Sequence, residues 1–266
     1  MDKIKQENIR EICFNVSKDI ILPKFRNLQD NDINYKNGND LVTTADVAAE
    51  KALKKNLLKI IPTANFVGEE EYALNQSILS SYNEDNYCWT VDPIDGTNNF
   101  VKGKDKFAIM IALTHKDKIL YSWIYKPLTQ EMCFAVQNAG SFIDDKKIKT
   151  RGVTNLNDAK GSISTKYWEG DYLSRLKILK NNFAYVDSYG CIGFEYIDIA
   201  LGKRNFAILS KLSPWDHIPG ILFLRESGGS DMDFNKKKYD FTNINKNLVV
   251  GNSQEFNLQI LKKLGE

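Results

Sequence analysis

The chain has 266 residues, 42% of them hydrophobic, with 36 basic against 34 acidic side chains and a formal net charge of +2. That near-balance excludes a protein held on nucleic acid by a basic face, and the apolar content excludes a disordered chain. No apolar run approaches the ~18 residues of a membrane span. The stretch from Met1 to Phe25 is charged and lacks an apolar signal core, and Cys13, Cys88, Cys133 and Cys191 show no CxxC spacing. The expectation is a soluble, reduced, cytoplasmic protein of one large domain or two joined ones.

Ile9, Ile12, Cys13, Val16 and Ile20 recur at helical spacing and predict an amphipathic helix ending near Pro23. Residues 28–39 are polar and turn-rich and read as a loop. A second helix is predicted from Thr44 to Ile61, with Ala49, Ala52, Leu53, Leu57 and Ile60 inward and Pro62 as its stop. Ala64–Val67 reads as a short strand running into Gly68-Glu69-Glu70-Glu71, and Cys88–Val91 as a buried strand ending at Asp92-Pro93. The runs Phe107–Thr114, Ile119–Tyr125 and Glu131–Gln137, separated by turn residues, predict an antiparallel meander. Beyond about residue 150 strands near 161–164, 184–187, 206–209 and 248–250 alternate with helices near 172–180, 195–201, 216–226 and 254–264. This predicts an α+β half over 1–148 and an α/β half over 149–266 that share an interface.

The chemistry concentrates in Trp89-Thr90-Val91-Asp92-Pro93-Ile94-Asp95-Gly96-Thr97-Asn98-Asn99-Phe100. Two carboxylates three residues apart at the carboxyl end of a strand sit where α/β proteins place ligands. Gly96 permits close backbone approach, and the N–H groups of Gly96 and Thr97 face an anion if a helix begins there. Such a string suits a hard cation held by Asp oxygens with a phosphate on the following backbone. The bland reading is an Asp-Pro turn followed by an Asx turn. A phosphatase with an aspartate nucleophile would have Asp-x-Asp-Gly-Thr. The extra residue between Asp92 and Asp95 turns the second side chain to the other face of an extended segment.

These residues resemble the inositol monophosphatase family, within the Mg²⁺-dependent, lithium-sensitive phosphatases, over nearly the whole chain. The resemblance rests on Asp92-Pro93-Ile94-Asp95-Gly96-Thr97, on Trp215-Asp216 with Gly220, on Gly68-Glu69-Glu70, and on Asp40-Leu41-Val42-Thr43-Thr44-Ala45-Asp46 with Lys36 upstream. It implies that Glu69, Asp92 and the Ile94 carbonyl bind one Mg²⁺ and that Asp92, Asp95 and Asp216 bind a second. Glu69 with waters would hold a weaker third, Asp46 would orient a water, and Thr97 would polarise the attacking one. Gly96 and Thr97 would seat the phosphate. The implied fold is a layered αβαβα sandwich, antiparallel in its first half, and the implied assembly a homodimer. Taken singly, Asp46 is a helix-start device, Glu69–Glu71 a solvated charge run, and Asp216 a helix opener. Taken together and in this order they read as a metal site. Only two histidines occur; His115 is expected to be exposed at a hairpin, and His217 to lie no closer than behind the site.

Substrate choice is less determined. Inositol-specific members carry Gly-(Ser/Thr)-Ala where this chain has Gly190-Cys191-Ile192, and an acidic residue where it has Leu209, Ser210 and Lys211; Pro219 also departs from the pattern. With Asp95 and Asp216, Gly190, Cys191 and Lys211 are the expected substrate contacts. Lys211 near Arg204 either favours a second anionic group, as in a sugar bisphosphate or nucleotide phosphate, or these cations are surface charges or reach a neighbouring subunit; histidinol phosphate is a further candidate. The expectation is a phosphomonoesterase for a small phosphorylated metabolite, without nucleic acid or membrane partner. The rival from another class is a non-catalytic regulatory protein that keeps the fold.

Overall fold

In a computed structural model that describes residues 6–36, 40–164, 167, 168, 170–242 and 247–266, the chain begins with helix α1 (Gln6–Val16), which buries Ile9, Cys13 and Val16 along one stripe. A π-helical turn over Ser17–Ile21 continues it and buries Ile21. The polar stretch that follows is not all loop. β1 (Ile33–Lys36) and β2 (Asp40–Thr43) form an antiparallel hairpin, with Ile33 opposite Thr43 and Lys36 opposite Asp40. Of the expected loop, Asp30–Asp32 form a 3₁₀ turn, and residues 37–39 lie outside the described residues. Thr43 then caps α2 (Thr44–Ile60): its hydroxyl accepts from the N–H groups of Ala45 and Asp46, and the Asp46 carboxylate accepts from the N–H of Thr43.

β3 (Asn65–Gly68) runs directly into the short helix α3 (Glu69–Leu74). β4 (Tyr87–Asp95) is longer than its apolar run suggests. It does not stop at Asp92-Pro93; pairing resumes at Asp95 after a register shift against the next strand. Proline has no donor for the ladder, so it sits in the irregularity. α4 (Thr97–Val101) follows, then the meander β5 (Ala108–His115), β6 (Lys118–Lys126), β7 (Glu131–Val136), β8 (Gly140–Ile143) and β9 (Lys146–Ile148). β3 to β9 lie side by side in chain order as a seven-stranded sheet, parallel only between β3 and β4.

The second half contains β10 (Lys160–Ile163), α5 (Gly170–Leu179), β11 (Tyr185–Val186), α6 (Ile192–Ala200), β12 (Phe206–Ser210), α7 (Pro214–Ser227), β13 (Ser230–Asp233), β14 (Asn247–Gly251) and α8 (Gln254–Leu264). The strands form a five-stranded sheet ordered β11-β10-β12-β14-β13. β13 escapes a reading of hydrophobic pattern because its sequence is Ser-Asp-Met-Asp. Its Asp231 is buried against Arg225, whose Nε donates to Asp231 Oδ1 at 2.6 Å.

Period-two alternation sorts the strands between layers. Ile109, Ile111 and Leu113 of β5 pack with Ile9, Cys13, Leu53 and Leu57 of the first two helices. Ala108, Met110 and Ala112 face the other way, onto Ile197 of α6 and Ile218, Ile221 and Leu222 of α7, which also cover Ala207, Leu248 and Val250 of the second sheet. The far face of that sheet, with Phe206, Ile208 and Val249, is closed by Leu176 of α5 and Phe256, Ile260 and Leu261 of α8. The order is helix, sheet, helix, sheet, helix, the expected αβαβα sandwich. α7 is apolar on nearly every side because sheets press on both of its faces.

Candidate active site

β4, α2, α3 and α7 end close together, and each delivers carboxylates. Asp92 and Asp95 are buried at the carboxyl end of β4 and Asp46 in the first turn of α2, while Glu69 at the start of α3 and Asp216 in the first turn of α7 are half-buried. Their charges act on one another. Burial and then the charges of Glu69, Asp95 and Asp216 push the Asp92 carboxyl well above the usual carboxylate range. Burial, with Glu69 and Asp95, lifts Asp216 to about 8, and its side chain is hydrogen-bonded to that of Asp92. Two carboxyls in that relation need a proton or a cation between them. Burial likewise lifts Asp46 to about 6.

Local geometry explains why the chain folds this way. The Ile94 N–H donates to Asp92 Oδ1 at 3.0 Å, the Asx turn expected of this string. Gly96 adopts φ +88°, and a Cβ there would fall 2.9 Å from the Lys106 carbonyl, so the turn into α4 requires glycine. The Thr97 hydroxyl lies 3.1 Å from Asp46 Oδ1 and 3.0 Å from the Ile94 carbonyl. Asp46 is therefore a helix-start device and a neighbour of Thr97 at once.

Asp95 bridges the two sheets' territories. Its Oδ1 accepts from the Ile192 N–H at 3.0 Å, and its Oδ2 from the Gly193 N–H at 2.6 Å and the Cys191 thiol at 2.9 Å. It thus caps α6 from outside, where orphan N–H groups favour a carboxylate. Asn99 makes a parallel link by donating to the Lys106 and Tyr189 carbonyls, each at 2.8 Å. A cavity of about 310 Å³ opens beside Asp95 and Asp216, lined also by Ser162, Ser164, Tyr167 and Ser188. Gly190, Cys191, Glu195 and His217 line the same cavity. The serines and Tyr167 carried no sequence signal, since isolated hydroxyl residues in a loosely matching half look like any others.

On the opposite flank a cavity of about 330 Å³ is lined by Lys36, Asp40, Glu69, Lys211 and Trp215 among others. Lys36 Nζ lies 3.1 Å from Glu69 Oε1 and also reaches Glu70. Burial disfavours its charge, but the two glutamates more than offset that and raise its pKa. Glu70 is buried, so the acidic run is not a solvated one.

The expectations of a joint role for Lys211 and Arg204 and of a fully exposed His115 need correction. Lys211 and Arg204 do not act together. Lys211 Nζ pairs with Asp40 Oδ2 at 2.9 Å on the mouth of the site, whereas Arg204 lines a separate cavity with Lys160, Tyr185, Tyr189 and Lys203. Arg204 is buried between Asp187 and Glu195 with its guanidinium 3.6 Å from the Tyr189 ring centroid. Both cations are thus neutralised by neighbouring carboxylates, and the change of sign inferred from the sequence does not arise. His217 is buried, with Nδ1 2.9 Å from the Tyr196 hydroxyl; burial lowers its pKa to about 4, so the imidazole is neutral. His115 is half-buried, not fully exposed, and lies 3.1 Å from Asp85.

Among the described residues no group of three His, Cys, Asp or Glu side chains closes into a ready cation cage. The donor set nonetheless fits a hard divalent cation. It is all oxygen, its negative charges repel one another, and Asp92 and Asp216 already share a hydrogen bond that a cation could replace.

The inositol monophosphatase family model matches residues 6–266. An inositol-1-monophosphatase of Mesorhizobium japonicum is 31% identical over 247 residues, which is 90% of this chain and 89% of that protein. The Nus factor SuhB of Pseudomonas aeruginosa is 28% identical over 208 residues, 76% of this chain and 75% of that one. The solved structure of an IMPase from Thermotoga maritima superposes with a TM-score of 0.83 at 21% identity, covering 97% of this chain and 96% of that one, which speaks for the fold.

Proposed function

The chain belongs to the inositol monophosphatase family, and from that premise we propose that it is a Mg²⁺-dependent phosphomonoesterase that hydrolyses a small phosphorylated metabolite by direct attack of water. The observation that carries the proposal is the meeting of Glu69, Asp92, Asp95 and Asp216, from three separate elements, in a cluster where burial, and then the charge of neighbouring carboxylates, raises the pKa of all three aspartates. A protein that acted only as a scaffold would gain nothing from such a cluster. Glu69, Asp92 and the Ile94 carbonyl would hold one Mg²⁺, and Asp92, Asp95 and Asp216 a second, with Glu69 and waters contributing to a third. Bound there, the ions supply a Lewis acid for the phosphoryl oxygens and lower the pKa of a coordinated water.

The remaining work falls to the protein. Gly96 and Thr97 present backbone N–H groups to the phosphate at the start of α4. The Thr97 hydroxyl, fixed between Asp46 and the Ile94 carbonyl, orients the attacking water. Asp46, lifted to about 6 by burial, accepts that water's proton near neutral pH through Thr97. The leaving group occupies the cavity lined by Ser162, Ser164, Ser188, Gly190 and Cys191. Its hydroxyl and thiol lining suits a polyol such as inositol. Asp95 and Asp216 border that cavity, and Lys211 stands at the edge of the other, tied to Asp40. A sugar bisphosphate, histidinol phosphate or nucleotide phosphate would need the same chemistry with different contacts.

The same reading makes the protein a cytoplasmic homodimer without nucleic acid or membrane partner; among the described residues no helix is long and apolar enough to cross a membrane. Similarity to a protein named Nus factor SuhB supports a second reading, a regulatory contact role carried by the same fold. Phosphate release should be measured with and without Mg²⁺ on inositol monophosphates, fructose bisphosphate, histidinol phosphate, adenosine bisphosphate and NADP. Mg²⁺-dependent release from at least one supports the enzyme; none from any of them leaves the regulatory reading standing.

A further inference from the structure

Helix α3 begins without a cap of its own. Its N-cap residue is Gly68, which has no side chain to accept from the first orphan N–H groups. The missing acceptor comes from another helix. Glu50 of α2 is buried, and its Oε2 accepts from the Glu70 N–H at 2.8 Å while its Oε1 accepts from the Glu71 N–H at 2.9 Å. Its carboxylate fills the space an N-cap side chain would use: a Cβ on Gly68 would lie 2.4 Å from Glu50 Cδ. Glycine at 68 is thus the condition for Glu50 to do the capping.

As a stabilising device this arrangement is a poor choice. It buries a carboxylate next to two others, and burial together with Glu69 and Glu71 pushes Glu50 up to about 7. A Ser at the N-cap would satisfy such donors locally without burying a charge. What the remote cap adds is a fixed distance. Asp46 and Glu50 are four residues apart and share a face of α2. The first touches Thr97, and the second grips the turn whose first residue is Glu69. One helix therefore sets the spacing between the Thr97 hydroxyl and the Glu69 carboxylate.

We propose that Glu50 is a positioning residue that holds Glu69 in place for cation binding by clamping the N-terminus of α3 with both carboxylate oxygens. The inference rests on the metal-dependent reading above. A Gln at 50 keeps one acceptor and turns an N–H₂ toward the second backbone donor, so the clamp loses half its grip. Outer partners of metal ligands typically cost 10–100-fold in metal affinity when removed.

The test compares the wild type with Glu50→Gln, Gly68→Ala and Lys54→Met. Lys54 also joins α2 to α3, through Glu71 at 2.6 Å, but on the outside. Mg²⁺ alone is titrated by calorimetry, and phosphate release from 4-nitrophenyl phosphate is followed against Mg²⁺ concentration. The expected result is a Mg²⁺ midpoint raised about 10–100-fold in Glu50→Gln, with turnover recovering at high Mg²⁺, and an unshifted midpoint in Lys54→Met. Gly68→Ala should reproduce the shift by displacing the Glu50 carboxylate, so the test stands even if Glu50→Gln does not fold. A wild-type midpoint in a folded variant at either position overturns the proposal, because a purely structural cap would lower the amount of folded protein without moving the midpoint. Absence of Mg²⁺ binding by the wild type is a separate result, and it overturns the metal reading and this inference together.

Discussion

The two sides of the candidate site handle charge in opposite ways. On the side built by β4, α3 and α7, carboxylates are crowded together, and burial and mutual repulsion raise the pKa of Asp92 and Asp216. On the side built by α6 and the loop before it, every charge has found a partner. Arg204 lies between Asp187 and Glu195, and Asp95 turns three acceptor contacts onto the start of α6. The first side stores unfavourable electrostatics that a cation would relieve; the second is already balanced and offers shape and hydroxyl groups. On the proposed function, binding energy for catalysis would be concentrated on one wall and selectivity on the other.

The largest effect that would break this contrast is at Asp92. Asp92→Asn should abolish Mg²⁺-dependent phosphate release, and the metal-free variant should be more stable than metal-free wild type, because it removes a buried carboxyl that Glu69, Asp95 and Asp216 crowd. A lower melting temperature in the metal-free variant would count against charge crowding. Arg204→Met tests the balanced wall. Removing one partner of a buried ion pair should cost ~3–5 kcal/mol in urea unfolding, with the Mg²⁺ midpoint unchanged. Addition of Mg²⁺ at about a hundred times its dissociation constant should raise the stability of the wild type by ~2.7 kcal/mol, read as a rise in melting temperature that EDTA reverses. Cys191→Ser replaces the thiol on Asp95 Oδ2 with a stronger donor. A gain of ~0.5–1.5 kcal/mol should appear in urea unfolding of the metal-free protein. Lys211→Met should have the smallest effect, under ~1 kcal/mol in stability, because its pair with Asp40 is partly exposed. It should not alter the preference between mono- and bisphosphates; a selective loss of bisphosphate turnover would show that the lysine reads a second anion after all.

How far the sequence could be read depended on where each element finds its partners. The meander was legible because apolar alternation and turn residues are local signals, and β5 to β7 fall within a residue or two of their expected limits. The string Asp92 to Thr97 was legible because its Asx turn, glycine and helix start are formed by neighbours in the chain. The hairpin of β1 and β2 was missed because its polar residues become a strand only by pairing with each other. β13 was missed because Asp231 is buried only by virtue of Arg225. Arg204 was assigned to the wrong neighbourhood because a count along the chain gives no information about which cavity a side chain enters. Glu50 looked like any glutamate in a soluble helix; its spacing of four from Asp46 was the one signal that could have drawn attention to it.

By itself, then, the order of residues determined the family, the layered succession of elements and the oxygen-rich chemistry at the end of β4, since these follow from periodicity, turn stereochemistry and side-chain type. Only the tertiary structure decided which charges remain uncompensated. Burial and distance fix that balance, and both depend on residues such as Glu50 and Glu70, or Arg204 and Glu195, that meet only when the layers close.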